Sequence, residues 1–179
     1  MGYAVELDFD AESAAAITAL TATIYDTCGG LHLTGIGHRP HLSLAVFDSI
    51  VPARLESILQ HLAQTTAPFV VQVAAVGTFP GPQGVVFLAP VVSATLLAVH
   101  TSFHDQLATA GLAAHSYYRP GNWVPHCTVG MELTPPQVVA AVGLCRVADI
   151  FRPLMVTAIR LIEFRPVETL GDYPLRTYP

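Results

Sequence analysis

Apolar and polar positions along this chain repeat with two different periods, and the two periods follow one another in the same order twice. Residues 3–9 alternate every second position, which predicts a half-buried strand. Asp10 stands where a helix N-cap is wanted, ahead of Ile17, Leu20 and Ile24 at helical spacing, and Gly29 and Gly30 close that helix. After a loop holding Gly35, Gly37 and Pro40, residues 41–47 read as a strand. Pro52 then opens a helix with Leu55, Ile58, Leu59 and Leu62 on one stripe. A long strand is predicted over 69–79.

The run Pro80-Gly81-Pro82-Gln83-Gly84 punctuates the chain near its middle, and the series restarts beyond it. Residues 85–89 read as a strand, and 94–110 as a helix with Leu96, Val99, Phe103 and Leu107 on one face, closed by Gly111. Residues 112–125 are a loop. A strand over 126–133 follows. Thr134-Pro135-Pro136-Gln137 then combines a capping threonine, prolines in the first turn and a glutamine three positions on, which starts a helix reaching about Ala148. A strand over 154–164 ends the second half. Matched landmarks in the two halves are separated by about 85 positions, as in the pairs His41/His126 and Phe69/Leu154. The expectation is a single domain, 1–179, of two pseudo-symmetric lobes, approximately 1–80 and 84–164, with a tail over 165–179 adding an edge segment. Each lobe alone would have a marginal core, so packing them together buries more surface and leaves a cleft between them.

Composition narrows what such a cleft could serve. Just over half of the 179 residues (52%) are hydrophobic and 12% are charged, which excludes a disordered chain. The longest apolar stretch, 85–99, is interrupted by Pro90, Ser93 and Thr95 and falls short of the roughly 18 residues that span a bilayer. No membrane association is expected, no secretory signal is visible, and the cytoplasm is the simplest location. Cys28, Cys127 and Cys145 form no Cys-x-x-Cys pair and predict reduced, mostly buried thiols rather than disulfides or a zinc site. The net charge of −5, with all eight basic residues arginine and none clustered, argues against long nucleic acid as a partner, since such binding rests on neutralising many phosphates. A small phosphorylated ligand needs only a few local donors.

The chemistry concentrates on two of the predicted strands. In a strand His41 shares a face with Ser43, Ala45 and Phe47, opposite Leu42, Leu44 and Val46. His126 likewise shares a face with Thr128, Gly130 and Glu132, opposite Cys127, Val129, Met131 and Leu133. Each strand thus sets an imidazole beside a hydroxyl. Histidine titrates near neutral pH and can act as base or acid, while a neighbouring hydroxyl can donate to a non-bridging phosphate oxygen. Two such units facing each other supply a base, an acid and two phosphate clamps. A single His-x-Ser/Thr is common, and this chain has four. His32 lies in a loop between glycines. His100 lies in a helix, where residues two apart do not share a face. Only His41 and His126 begin strands, follow a proline and occupy equivalent places in the repeat.

These segments, His41-Leu42-Ser43-Leu44 and His126-Cys127-Thr128-Val129, resemble the paired His-x-Ser/Thr-x motifs of the two-histidine (2H) phosphoesterase superfamily, which includes RNA 2',5'-ligase-like proteins and cyclic nucleotide phosphodiesterases. The resemblance implies a bilobal α+β fold, with two antiparallel-rich sheets flanked by helices around a central cleft, and no metal or other cofactor. It assigns catalysis to His41 and His126 and phosphate binding to Ser43 and Thr128. The activity it implies is opening of a 2',3'-cyclic phosphate or related cyclic phosphodiester of a nucleotide or short RNA end by a hydrolase, and a monomer is expected. A reversible 2',5' RNA ligase and a catalytically idle nucleotide-binding module of the same fold are the alternatives.

Three further features stand outside the motifs. The loop Ser116 to Trp123 gathers aromatic and donor groups, and Tyr118, Arg119 and Trp123 are candidates to contact substrate, with Arg39 a weaker one. His100 and His104 at helical i, i+4 spacing have a geometry that can hold a metal, as a metal-dependent hydrolase would require. With no third ligand evident, a solvated helix face is the simpler reading.

Overall fold

A computed structural model describes residues 2–177. The elements follow the predicted series: β1 (Gly2–Phe9), α1 (Ala11–Cys28), β2 (His41–Phe47), α2 (Ala53–Thr65), β3 (Phe69–Thr78), β4 (Val86–Pro90), α3 (Ala94–Thr109), β5 (Cys127–Gly130), α4 (Pro135–Val147), β6 (Pro153–Phe164) and β7 (Glu168–Pro174). Short 3-10 turns at Thr34–Ile36 and Ser116–Tyr118 lie within the two long loops. Among the described residues no helix is long and apolar enough to cross a membrane.

The capping residues act as their chemistry predicts. The Asp10 carboxylate accepts from the Ser13 amide at 2.8 Å, and the Thr134 amide donates to Gln137 Oε1 at 2.7 Å, which satisfies donors that a helix start leaves open. The predicted stripes face inward: Ile17, Leu20 and Ile24 on α1, Leu55, Ile58, Leu59 and Leu62 on α2, and Leu96, Val99, Phe103 and Leu107 on α3 are all buried. Each such side chain contributes roughly 1.5–3 kcal/mol of burial.

Every strand pairing is antiparallel. The path β2-β1-β6-β3-β4-β5 makes an α+β fold of two antiparallel sheets joined through β3, which pairs with β6 over Phe69–Gln72 and with β4 over Val73–Thr78. The closing strand of each half of the sequence therefore pairs with the opening strand of the other half, β6 with β1 and β3 with β4. Where β3 turns away, β7 takes over the same edge of β6 along Ala158–Glu163. The tail thus supplies an edge strand, while its last residues, 178–179, lie outside the described residues.

Two strand details differ from strict alternation. The register of β1 against β2 slips between Val5, opposite Ala45, and Glu6, opposite Ser43, which leaves Leu44 as the extra residue of a bulge. Ala45 and Phe47, expected on the histidine's face, are consequently buried in the same apolar cluster as Leu42 and Leu44. The second histidine strand is shorter than 126–133. It begins at Cys127 and ends at Gly130, because Met131 O is taken by the Leu31 amide and Glu132 turns into the left-handed region at φ 58°.

Candidate active site

Both histidines are set by the same local device. His41 Nδ1 donates to the carbonyl of Arg39, and His126 Nδ1 to the carbonyl of Val124, each at 2.7 Å. In both segments the middle residue is proline, which keeps the residue before it extended and turns that carbonyl toward the ring. A carbonyl only accepts, so Nδ1 must carry the hydrogen, and in each ring Nε2 is the nitrogen outside that bond.

The two motifs meet across β2 and β5. The Cys127 sulfur is hydrogen-bonded to the His41 backbone, and burial pushes its thiol up to about 12, so the cysteine beside His126 is inert packing. All three cysteines are free and buried, as composition suggested. Burial lowers His41 to about 4, with the charges of Arg160 and His126 adding to it. His126 is lowered too, chiefly by burial. Ser43 and Thr128 are half-buried, and neither hydroxyl is held by another protein group among the described residues.

Behind His41 lies a buried charged cluster that the sequence reading missed. Glu6, Asp8 and Arg160 are each no more than 3% exposed. Glu6 Oε1 is 3.2 Å from His41 Nε2, and its other oxygen accepts from Arg160 Nη2 at 2.7 Å. Arg160 also reaches Asp8 at 3.3 Å, and Asp8 pairs with Arg39 at 3.1 Å. Arg39 in turn offers its carbonyl to His41, so the polar contacts close into a ring. Burial raises both Glu6 and Asp8, the latter to about 6, with Arg160 the main opposing influence. A signal was present in the sequence: two carboxylates two apart in β1 share a face, and one arginine interrupts the apolar run of β6. Strand pairing brings Glu6 opposite Arg160 on one side and Ser43 on the other.

His126 has different company. The rings of Phe79 and Phe87 lie 4.9 and 5.3 Å from it. His38, also unforeseen, sits 4.9 Å from the His41 ring and is lowered to about 4 by burial.

The loop residues named as candidates are mostly structural ties. β2 is an edge strand, and three of its carbonyls accept from the second half of the chain: Ser43 from Trp123 Nε1 at 3.0 Å, Leu44 from His104 Nε2 at 3.1 Å and Val46 from the His115 amide at 2.8 Å. Trp123 stacks on His100 at 3.9 Å, and His100 Nε2 donates to the Tyr118 carbonyl at 2.8 Å. Arg119 donates to the Ala114 carbonyl and lines a separate surface pocket with His104 and Asp105. Tyr118 is raised by burial and by the charge of Glu6, and Arg39 is tied to Asp8 with its side chain 55% exposed. His100 and His104, read as a solvated helix face, are instead buried at 0% and 8%, because the loop covers α3 and uses them as donors. Among the described residues no group of three or more His, Cys, Asp or Glu is placed to hold a metal.

Comparison with known proteins shows the family and the fold. A family model described as the 2'-5' RNA ligase superfamily matches residues 36–167. No curated protein sequence matches the chain at a significant level. Solved structures do. E. coli LigT in complex with 3'-AMP aligns with a TM-score of 0.65 at 17% identity over 98% of both chains. TT0787 of Thermus thermophilus aligns at 0.60 and 19% over the whole of both, and Kluyveromyces marxianus Usb1 at 0.52 and 13% over 97% of both. At these identities the likeness is one of fold.

Proposed function

Because the chain belongs to the 2'-5' RNA ligase superfamily, we propose that it is a phosphoesterase that opens a 2',3'-cyclic phosphate, or a related cyclic phosphodiester, on a nucleotide or short RNA end. The observation that carries this reading is the matched pair of imidazoles. Each has Nδ1 fixed on a carbonyl two residues upstream, and each is followed two positions later by a hydroxyl that no other protein group among the described residues holds. One Nε2 takes a proton from water as its oxygen attacks phosphorus. The other gives a proton to the ribose oxygen as the ring P–O bond breaks, while Ser43 and Thr128 donate to the non-bridging oxygens. All of these groups belong to the chain, so the reaction needs no metal.

A small substrate fits the charge. Arg39 and Arg160 are the cations near the site, and they already face Glu6 and Asp8, so little positive surface is left to follow a long RNA backbone. E. coli LigT has been seen with 3'-AMP, ATP and NADP+, ligands of the size we propose for this cleft. The reverse reaction, joining a 2',3'-cyclic end to a hydroxyl, would use the same groups.

The test is turnover of a panel of 2',3'-cyclic nucleotides with and without EDTA, beside His41→Ala and His126→Ala. EDTA-resistant turnover lost in both variants is expected. Turnover that survives in both variants, or that EDTA abolishes, would overturn the reading, and binding without any turnover would favour a nucleotide-binding module.

A further inference from the structure

The two histidine motifs are alike in backbone and unlike in surroundings, and the difference falls on one atom. His41 Nδ1 already donates its hydrogen to the Arg39 carbonyl, so Nε2 of a neutral ring presents a lone pair. That lone pair would face Glu6 Oε1 at 3.2 Å, in a setting where Glu6 is 2% exposed. Two lone pairs held that close without a proton repel, and burial removes the water that would screen them. A proton between them turns the contact into a hydrogen bond, whether it rests nearer carboxylate or imidazole.

We propose that Glu6 and His41 Nε2 hold one proton in common and that this proton goes to the leaving oxygen, which makes His41 the acid of the pair and His126 the base. The inference rests on the phosphoesterase reading above and assigns the two roles that the motifs leave open.

The neighbours on every packed element agree. From β1 come Glu6 and Asp8, from β6 Arg160, and from the segment before β2 His38 and Arg39. On the β7 side Asp172 acts on Asp8, and Tyr118 faces Glu6 from the loop. Two guanidiniums balance two carboxylates, so the shared proton is the unit of positive charge left over, and it sits on a motif histidine whose side chain is 17% exposed. Burial raises Glu6 and lowers His41, and both directions favour one proton lodged between them over two separated charges. His126, by contrast, lies against Phe79 and Phe87, which favour the neutral ring with an open Nε2 lone pair that a base requires.

In the step itself, His126 Nε2 removes a proton from water as the water oxygen bonds to phosphorus. The phosphorus–ribose oxygen bond breaks with its electron pair, and that oxygen takes the proton from His41 Nε2. Glu6 is left ionised against Arg160. Loss of the new proton from His126 to solvent, and uptake of one by the Glu6–His41 pair, restores the starting state. Glu6 is thus a positioning residue that acts through His41.

Nitrogen NMR of protein labelled in its histidine rings reads the proton directly and needs no substrate, so it is independent of whether the chain opens cyclic phosphates. In the wild type between pH 6 and 8 the His41 Nε2 signal is expected to be displaced from that of a bare ring nitrogen, and to move to the bare position in Glu6→Leu, which has no donor to offer the ring. A bare His41 Nε2 in the wild type would overturn the proposal, and this half of the test stands even if the variant does not fold. With a cyclic nucleotide that turns over, the alkaline limb of kcat/KM in Glu6→Gln should move to lower pH by about one unit, which is about a tenfold loss on that limb. An alkaline limb unmoved by Glu6→Gln, in a variant that unfolds at the wild-type temperature, would equally overturn it.

Discussion

The indole Nε1 of Trp123 donates to the backbone carbonyl of Ser43 at 3.0 Å, so the loop that leads into one histidine motif is pinned to the strand that carries the other. Stacking of the same indole on His100, with the rings 4° from parallel, holds it in that position. Trp123→Phe keeps the stack and deletes the hydrogen bond. The part-buried carbonyl then loses its partner, and the variant should be about 0.5–1.5 kcal/mol less stable, as chemical denaturation would measure. Since the tie sets the spacing of His126 from Ser43, kcat on a cyclic nucleotide should fall more than KM rises, and equal changes in both would argue against this role.

Ser43 and Thr128 should divide the stabilisation of phosphate charge between them. Ser43→Ala and Thr128→Val each remove one donor while keeping the fold of the strand. A loss of about a hundredfold in kcat is expected for each, the scale of one donor to developing oxyanion charge. If the two hydroxyls grip the same phosphate, the double variant should lose less than the product of the single losses. Steady-state kinetics on the three proteins decides this.

How far the sequence carried this picture can be traced residue by residue. The alternation of the strands and the stripes of the helices were legible because burial imposes them locally, and His41 and His126 stood out because they recur at matched places in the two halves. The lengths of those strands were not legible. The bulge at Leu44 and the left-handed turn at Glu132 arise from pairing with β1 and the 83–84 turn, partners remote in sequence. The Glu6–Arg160 pair was hidden for the same reason: 154 positions separate the two residues, and only the pairing of β1 with β6 makes them neighbours. His100 and His104 were misplaced on a wet face because nothing in α3 itself announces that a loop will cover it.

Arg160→Met tests the buried cluster as a unit. The replacement is close in length and apolar, and it leaves Glu6 and Asp8 buried with Arg39 as the remaining guanidinium, which contacts Asp8 and acts on Glu6 only from a distance. Breaking a buried pair in this way costs about 3–5 kcal/mol. Both carboxyls already lie above their ordinary range, and loss of the opposing guanidinium raises them further. The deficit should therefore shrink as pH falls and the carboxyls take up protons. Urea unfolding of wild type and variant at pH 8 and pH 5 measures it, and a deficit that is constant or grows at pH 5 would contradict the assignment.

His100 should make stability depend on pH in the opposite sense. Its ring is fully buried, donates to the Tyr118 carbonyl and is lowered to about 4, by burial first and by His104 in addition. The unfolded chain regains an ordinary imidazole near 6.5. Between those values the unfolded state binds the proton and the folded state does not. The contribution of His100 is therefore fully present above about 6.5 and is lost as pH falls toward 4, by up to about 1.4 kcal/mol per pH unit across that window. Asp8, raised to about 6, opposes it, because the folded state holds that proton more tightly than the unfolded one. His38, lowered to about 4, acts in the same sense as His100. His100→Gln removes one of the depressed imidazoles and keeps a side chain able to donate. It should be less stable than the wild type at pH 7, yet lose less on going from pH 6.5 to 4.5, so the two stability curves converge toward acid. Unfolding free energies at half-unit intervals across that range provide the test, and parallel curves would show that His100 is not the titrating group.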